Sequence, residues 1–227
     1  MAITFYSCKN NEDDKGKKGK LVKTVGYSEP SNDNNFLFTG YYDAQNRLIK
    51  VEECYQSILL NLTYSANTII VNIKFNESGE NHTHLLHLDN NGYLIEDDFF
   101  TYFYENGYLK EKKAKEDSNV IVKYSWMNGN MMQMSEDPYY IVTYEYSSKE
   151  NLSNIDLVSS IIGQVYFYSG ALKFKGLASK NHLVKMTETS YDGVPHSFIH
   201  SYDYKFDEDG YPTEIIGGGF KFTLTYY

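Results

Sequence analysis

One phrase recurs along this chain and constrains its fold more than any other feature. It is an aromatic residue or leucine, then a turn rich in Asp, Asn, Glu and Gly, then an alternating strand. It reads Tyr42-Asp43 followed by Asn46-Arg47-Leu48, then Leu88-Asp89-Asn90-Asn91-Gly92-Tyr93-Leu94, then Tyr104-Glu105-Asn106-Gly107-Tyr108-Leu109. It returns as Trp126-Met127-Asn128-Gly129-Asn130-Met131 and as Phe206-Asp207-Glu208-Asp209-Gly210-Tyr211-Pro212. Asn-Gly and Asp-Gly pairs supply the positive φ that tight hairpin turns require. A chain that repeats this phrase makes one antiparallel hairpin after another. The phrase specifies an architecture and no chemistry.

Between the turns the residues alternate. Phe36, Phe38 and Tyr42 share one face, and Ile49, Val51 and Tyr55 share a face of the next strand. Ile58, Leu60, Leu62 and Tyr64 follow, then Ile69, Val71, Ile73 and Phe75. Farther on come Val120, Val122, Tyr124 and Trp126, then Tyr202, Tyr204 and Phe206, then Phe220, Phe222, Leu224 and Tyr226. Their neighbours of opposite parity are largely Lys, Thr, Asn, Glu and Ser. A period of two marks half-buried antiparallel strands. The residue ahead of each turn recurs roughly every 20 residues, from Tyr42 through Tyr64, Leu88, Tyr104, Trp126 and Tyr146. That spacing preserves phase, so these side chains form one ladder inside the sheet. The acids beside them belong at hairpin corners.

An up-and-down meander of about 14 such strands twists, and one apolar face drives it to roll into a barrel or half-barrel. The expected fold is all-β, a single domain over 21–227. One segment, about 150–181, breaks the pattern. Asn151-Leu152-Ser153-Asn154-Ile155-Asp156-Leu157 offers helix caps, and Tyr166, Tyr168 and Phe174 lie in an apolar stretch with Gly. A short helical or looped insertion capping one end is the expectation. A transmembrane barrel also alternates, but its strands need about 9–11 residues. The residues in phase with Tyr227 are Thr225, Thr223 and Lys221, not the apolar series of an outer-membrane barrel terminus.

Charge bears on partners. The formal charge is −9, and basic residues cluster only at positions 15–20 and 110–115. Nucleic-acid binding uses a basic stripe, and none is present. No apolar run reaches the roughly 18 residues of a membrane-spanning helix. The first residues, Met1-Ala2-Ile3-Thr4-Phe5-Tyr6-Ser7-Cys8, resemble the end of a bacterial lipoprotein signal, which implies lipidation at Cys8 and residual signal over 1–8. Membrane attachment is then by the N-terminal lipid alone. The charged stretch 9–20 reads as a flexible tether, and its acidic start resembles a surface-export signal of Bacteroidota lipoproteins. Cys54, the other cysteine, is then unpaired.

The repeats resemble the tyrosine–aspartate repeats of Rhs-type proteins. A narrower resemblance rests on three segments. They are Tyr202-Asp203-Tyr204-Lys205-Phe206-Asp207-Glu208-Asp209-Gly210-Tyr211-Pro212-Thr213-Glu214-Ile215, Asn154-Ile155-Asp156-Leu157, and Gly176-Leu177-Ala178-Ser179-Lys180-Asn181-His182-Leu183. They are similar to an uncharacterised family of Bacteroidota lipoproteins with a porin-like β-fold. That resemblance implies a secreted, lipid-anchored protein at the outer membrane, on the cell surface or otherwise periplasmic. It brings no catalytic residues.

Candidate chemistry is sparse. His82 and His84 share a strand face about 7 Å apart and His87 points away; a metal would need a further ligand, and none is identifiable. Asp207, Glu208 and Asp209 with Gly210 read as turn chemistry rather than calcium ligands. Glu52-Glu53 and Asp97-Asp98 are strand neighbours facing opposite sides, so neither is an acid–base dyad. No serine elbow, zinc helix or phosphate loop is present, so no catalytic residue, metal or cofactor is assigned. Tyrosine is abundant, with 23 copies. Tyr93, Tyr108, Tyr139, Tyr140 and Tyr211 near turns are the candidate binding aromatics, and Tyr166, Tyr168 and Phe174 mark the cap. Rigid tyrosine surfaces suit sugars and peptides. The expected function is a non-enzymatic binding module for glycan or peptide. The alternative is an assembly subunit of an envelope complex that recognises a protein through a sheet edge.

Overall fold

The computed structural model describes residues 20–28, 35–53, 58–117, 119–136, 140–153, 176–191, 196–217 and 219–227. Sixteen strands follow one another. They are β1 (Val22–Ser28), β2 (Asn35–Tyr42), β3 (Leu48–Glu53), β4 (Ile58–Tyr64), β5 (Thr68–Phe75), β6 (Asn81–Leu88), β7 (Leu94–Glu96) and β8 (Phe100–Glu105). Then come β9 (Tyr108–Ala114), β10 (Ile121–Met127), β11 (Asn130–Glu136), β12 (Tyr140–Glu150), β13 (Asn181–Ser190), β14 (His196–Phe206), β15 (Pro212–Gly217) and β16 (Phe220–Tyr226). Each pairs antiparallel with its sequence neighbours, and β1 pairs with β16, closing the barrel.

The all-β meander is as the alternation predicts, and of barrel and half-barrel the chain takes the closed form. Two details differ. Sixteen strands form rather than about 14, because β7 has only three residues and β15 opens on Pro212, too short or too irregular to show alternation. No helix occurs among the described residues. The predicted helical part of the insertion, with Tyr166, Tyr168 and Phe174, lies outside them, as do Cys8, Cys54 and Tyr139.

A circular barrel of this strand number leaves an aqueous channel. Here Leu48, Val51, Ile69, Val71, Leu86, Leu94, Met131, Val142 and Ile215 are each at most 1% exposed. The interior is therefore filled by one cluster of side chains rather than by water. The outer wall carries the polar parity: Lys205 and Lys221 flank Glu214 across three strands, Lys185 pairs with Glu145, and Lys50 with Glu52. A barrel in lipid turns an apolar band outward; this one gathers its main apolar cluster inside, with Leu37, Ile95, Phe103, Phe198, Ile199 and Ile216 among the apolar side chains left exposed.

One end of the barrel, called the lower end, carries the turns at 43–47, 65–67, 89–93, 106–107, 128–129 and 207–211. There the repeated phrase becomes a repeated structure. Tyr42 lies opposite Leu48, Leu88 opposite Leu94, Tyr104 opposite Leu109, Trp126 opposite Met131 and Phe206 opposite Pro212. Tyr146 and Leu183 match across the insertion, and Tyr226 and Val22 across the closure. Beside every such pair the register slips by one residue, a β-bulge. The slip turns Ile49 away from the face of Val51, where alternation puts it, and leaves it 36% exposed.

The turn acids act on the backbone. Asp43, Asp89 and Asp207 each accept, through Oδ1, the N–H groups two and four residues on, at 2.8–3.1 Å. The ladder aromatics act between hairpins. The Tyr42 hydroxyl donates to the Val22 carbonyl, Tyr64 to Leu48, Tyr204 to Leu183 and Tyr226 to Pro212, each at 2.7 Å. Burial pushes the Tyr64 hydroxyl up to about 12, so it remains a protonated donor. Each aromatic is a strut across a gap where two strands part toward the lower end.

Residues 20–21 and Tyr227 meet at this end. Tyr227 N–H donates to the Leu21 carbonyl, and the Lys20 ammonium bridges Asp207 and Asp209 at 2.8 and 2.7 Å. Lys20, predicted as the last residue of the tether, is thus fixed to the barrel.

Candidate functional site

One strut opens onto solvent. Pairing of β9 with β10 covers 111–113 against 121–123. Below that the two strands part, and the Trp126 indole spans the gap, its Nε1–H donating to the Leu109 carbonyl at 2.7 Å. Tyr108 lies on Trp126 with ring centroids 4.6 Å apart. The two rings line an open depression of about 210 Å³, completed by Glu105, Asn106, Lys110, Met127, Asn128 and Gly129.

The sequence builds this site locally. Asn106-Gly107 and Asn128-Gly129 take positive φ at both residues, 52° and 82°, then 54° and 82°. These are the two-residue turns that match strand twist, and they set Asn106 and Asn128 at the rim. The returning flank of the insertion buttresses both turns. Leu177 N–H donates to the Gly107 carbonyl at 2.8 Å, and Lys180 N–H to the Gly129 carbonyl at 2.9 Å. The Lys110 ammonium lies 3.3 Å from the Glu105 carboxylate, so the rim charges neutralise each other. The site therefore offers two rings in contact at a tilt of 38°, two amides and a neutral pair of charged hydrogen-bonding groups. That set suits a polyhydroxylated ligand with an apolar face.

The candidate aromatics do not converge. Tyr108 is in the depression. Tyr93 stacks on the next strut, Tyr104, at 5.1 Å and 22°. Tyr211 is 4% exposed, between the Lys20 ammonium and Tyr226, and offers no free ring face. Tyr140 sits at the other end of the barrel against the core; burial, then a hydrogen bond to Glu188, pushes its hydroxyl up to about 12. Sequence reasoning missed Trp126, Glu105 and Lys110 as site residues. Trp126 reads as a ladder residue, which it is; the signal that it is also accessible is the pair of Asn-Gly turns bracketing it and Tyr108.

The histidines and carboxylate pairs behave as their phase dictates. His82 and His84 face inward with Val71 and Ile73, and His87 outward with Glu96. His84 Nδ1 lies 2.6 Å from Asp98, whereas His82 lies 3.7 Å from Glu80. Among the described residues no group of three His, Cys, Asp or Glu side chains converges as a metal ion requires. Asp97 is buried and accepts the Tyr102 hydroxyl at 2.6 Å, whereas Asp98 bonds His84. Glu52 pairs outward with Lys50, whereas Glu53 is buried. No family model matches the chain, and no curated protein matches it.

Proposed function

We propose that this protein is a non-enzymatic binding module whose ligand is a glycan, held on the Tyr108–Trp126 depression. The observation that supports this reading is the partly exposed ring pair beside two rim asparagines and a self-neutralised Glu105–Lys110 pair. Rings stack on the C–H face of a sugar, and amide and charged groups bond its hydroxyls. A peptide is the other ligand class such a rim accommodates. The lipoprotein reading fits the same geometry. A lipid on Cys8 and a tether of roughly 40 Å at full extension would hold the lower end near a membrane.

Glycan and peptide arrays probed with the purified protein test the reading, followed by titration of any hit against Tyr108→Ala. The expected result is at least tenfold weaker binding for the variant with its melting temperature within a few degrees of the parent. Tyr108 is the better probe because Trp126 also braces the fold. Silent arrays, or a Tyr108→Ala variant that binds its hit as well as the parent, would refute it.

A further inference from the structure

The barrel is closed, but its wall is notched. β6 pairs with β5 without a slip over 81–87. On its other side β7 meets only His87 and Leu88. The cause is Asp97, which turns the chain back after three residues of β7. Its Oδ1 accepts the Phe99 and Phe100 N–H groups at 2.8 and 2.7 Å. Tyr102 holds the other oxygen inside the barrel, so the turn is pinned. Among the described residues the upper part of β6 therefore has no strand neighbour on that side.

Backbone groups of successive strand residues point alternately to the two flanking strands. Leu88 N–H donates to Asn67, on the β5 side. Residues of opposite parity therefore aim their N–H and C=O groups at the notch. These are Asn81, Thr83 and Leu85, and no described residue bonds those groups. An exposed edge is commonly blunted by proline, lysine or a bulge; residues 81–86 contain none of these. Leu85 is 41% exposed on the outer face, and Phe99, 60% exposed, lies against His84 at 6.2 Å. The carboxylates of Glu80, Glu96 and Asp98 rim the notch; Lys115 pairs with Glu96, His84 with Asp98, and His82 lies 3.7 Å from Glu80.

We propose that the upper edge of β6 is a docking site for an extended, basic segment of a partner protein, which adds as a strand along β6 above the β7–β8 turn. Three donor–acceptor residues give the backbone register. Leu85 takes an apolar side chain on the outer face, and Glu80, the carboxylate not held by a short ion pair, takes a lysine or arginine. This surface lies at the opposite end of the barrel from the Tyr108 depression and is independent of the glycan reading.

Two measurements test it. In amide hydrogen exchange of the free protein, Thr83 and Leu85 should exchange much faster than His84 and Leu86, which bond β5. Selection of random heptapeptides on the immobilised full chain should yield basic, alternating binders that slow the Thr83 and Leu85 amides. Thr83→Pro removes an edge donor at a position where proline is tolerated, and should weaken those peptides at least tenfold, whereas Thr83→Ala should not. If Thr83→Pro does not fold, the exchange pattern with peptide decides. Equal protection of Thr83 and Leu86 in the free protein overturns the proposal. So does a selection without binders, or a Thr83→Pro variant with unchanged affinity. A dimer that Thr83→Pro dissolves would assign the edge to a second copy of this chain and overturn it too.

Discussion

Lowering the pH from 7 to 5 should destabilise this protein through one side chain, His182. It is the second residue of β13 and 3% exposed, with its ring between Tyr204 at 5.0 Å and Phe206 at 5.2 Å. Its Nε2 has no hydrogen-bond partner, and its other nitrogen bonds the Glu150 backbone. Burial, reinforced by the nearby Lys149 ammonium, pushes the imidazole down to about 4 from an ordinary 6.5. The folded state therefore holds a neutral ring, while the unfolded chain takes up a proton as pH falls through 6.5. Stability is full above that value, declines between 6.5 and 4, and is flat below. At about 1.4 kcal/mol per pH unit the whole loss is about 3 kcal/mol, of which about 2 kcal/mol has gone by pH 5. With a urea slope near 2 kcal/mol per molar, the unfolding midpoint should drop by roughly 1 M. Asp43, Glu52, Glu96, Asp207 and Glu214 are all held below their ordinary values, so their losses fall at lower pH, outside this window. His182→Phe keeps the ring stack and removes the titration, so its midpoint should move far less between pH 7 and 5. If the variant loses as much stability as the parent over that interval, the reasoning fails.

Two further variants probe the scaffold. Tyr64→Phe deletes the hydroxyl that reaches the Leu48 carbonyl, and should cost about 1 kcal/mol, a fall in melting temperature of roughly 2–4 °C by calorimetry. An unchanged melting temperature would mean that the strut carries no load. Gly217→Ala places a methyl 2.1 Å from the Ser201 carbonyl oxygen, a backbone atom that cannot swing aside. It should cost about 3 kcal/mol or more in chemical denaturation, and a variant as stable as the parent would contradict the close approach of β14 and β15.

The lower end of the barrel was the more legible. Period-two alternation places Ile58, Leu60, Leu62, Ile69, Val71 and Ile73 inside, and they are. Turn chemistry explains Asp43, Asp89 and Asp207 without a ligand. The bulges were not legible, because a one-residue slip depends on how two strands meet and leaves no mark on either alone. Ile49 shows this: correct parity, opposite face. The notch at β6 escaped for a related reason. It follows from the brevity of β7, which a turn-forming Asp97 imposes and the apolar run Leu94-Ile95 conceals. Of the site, Tyr108 could be named from sequence. Whether a tyrosine after a turn is open, as Tyr108 is, or sealed, as Tyr211 is, depends on what the next hairpin and Lys20 bring against it.

The contact between Tyr227 and Leu21 has a consequence for the chain as a whole. Once β1 and β16 are zipped, the barrel has no first or last strand; where the polypeptide begins is an accident of the ring. Residues 20 and 227 emerge side by side, so a short peptide joining them would complete a circle, and the break could be moved to another loop with every strand keeping both neighbours. The new break would then lie at the tip of that loop, and Lys20 and Tyr227 would become the middle of a hairpin at the lower end.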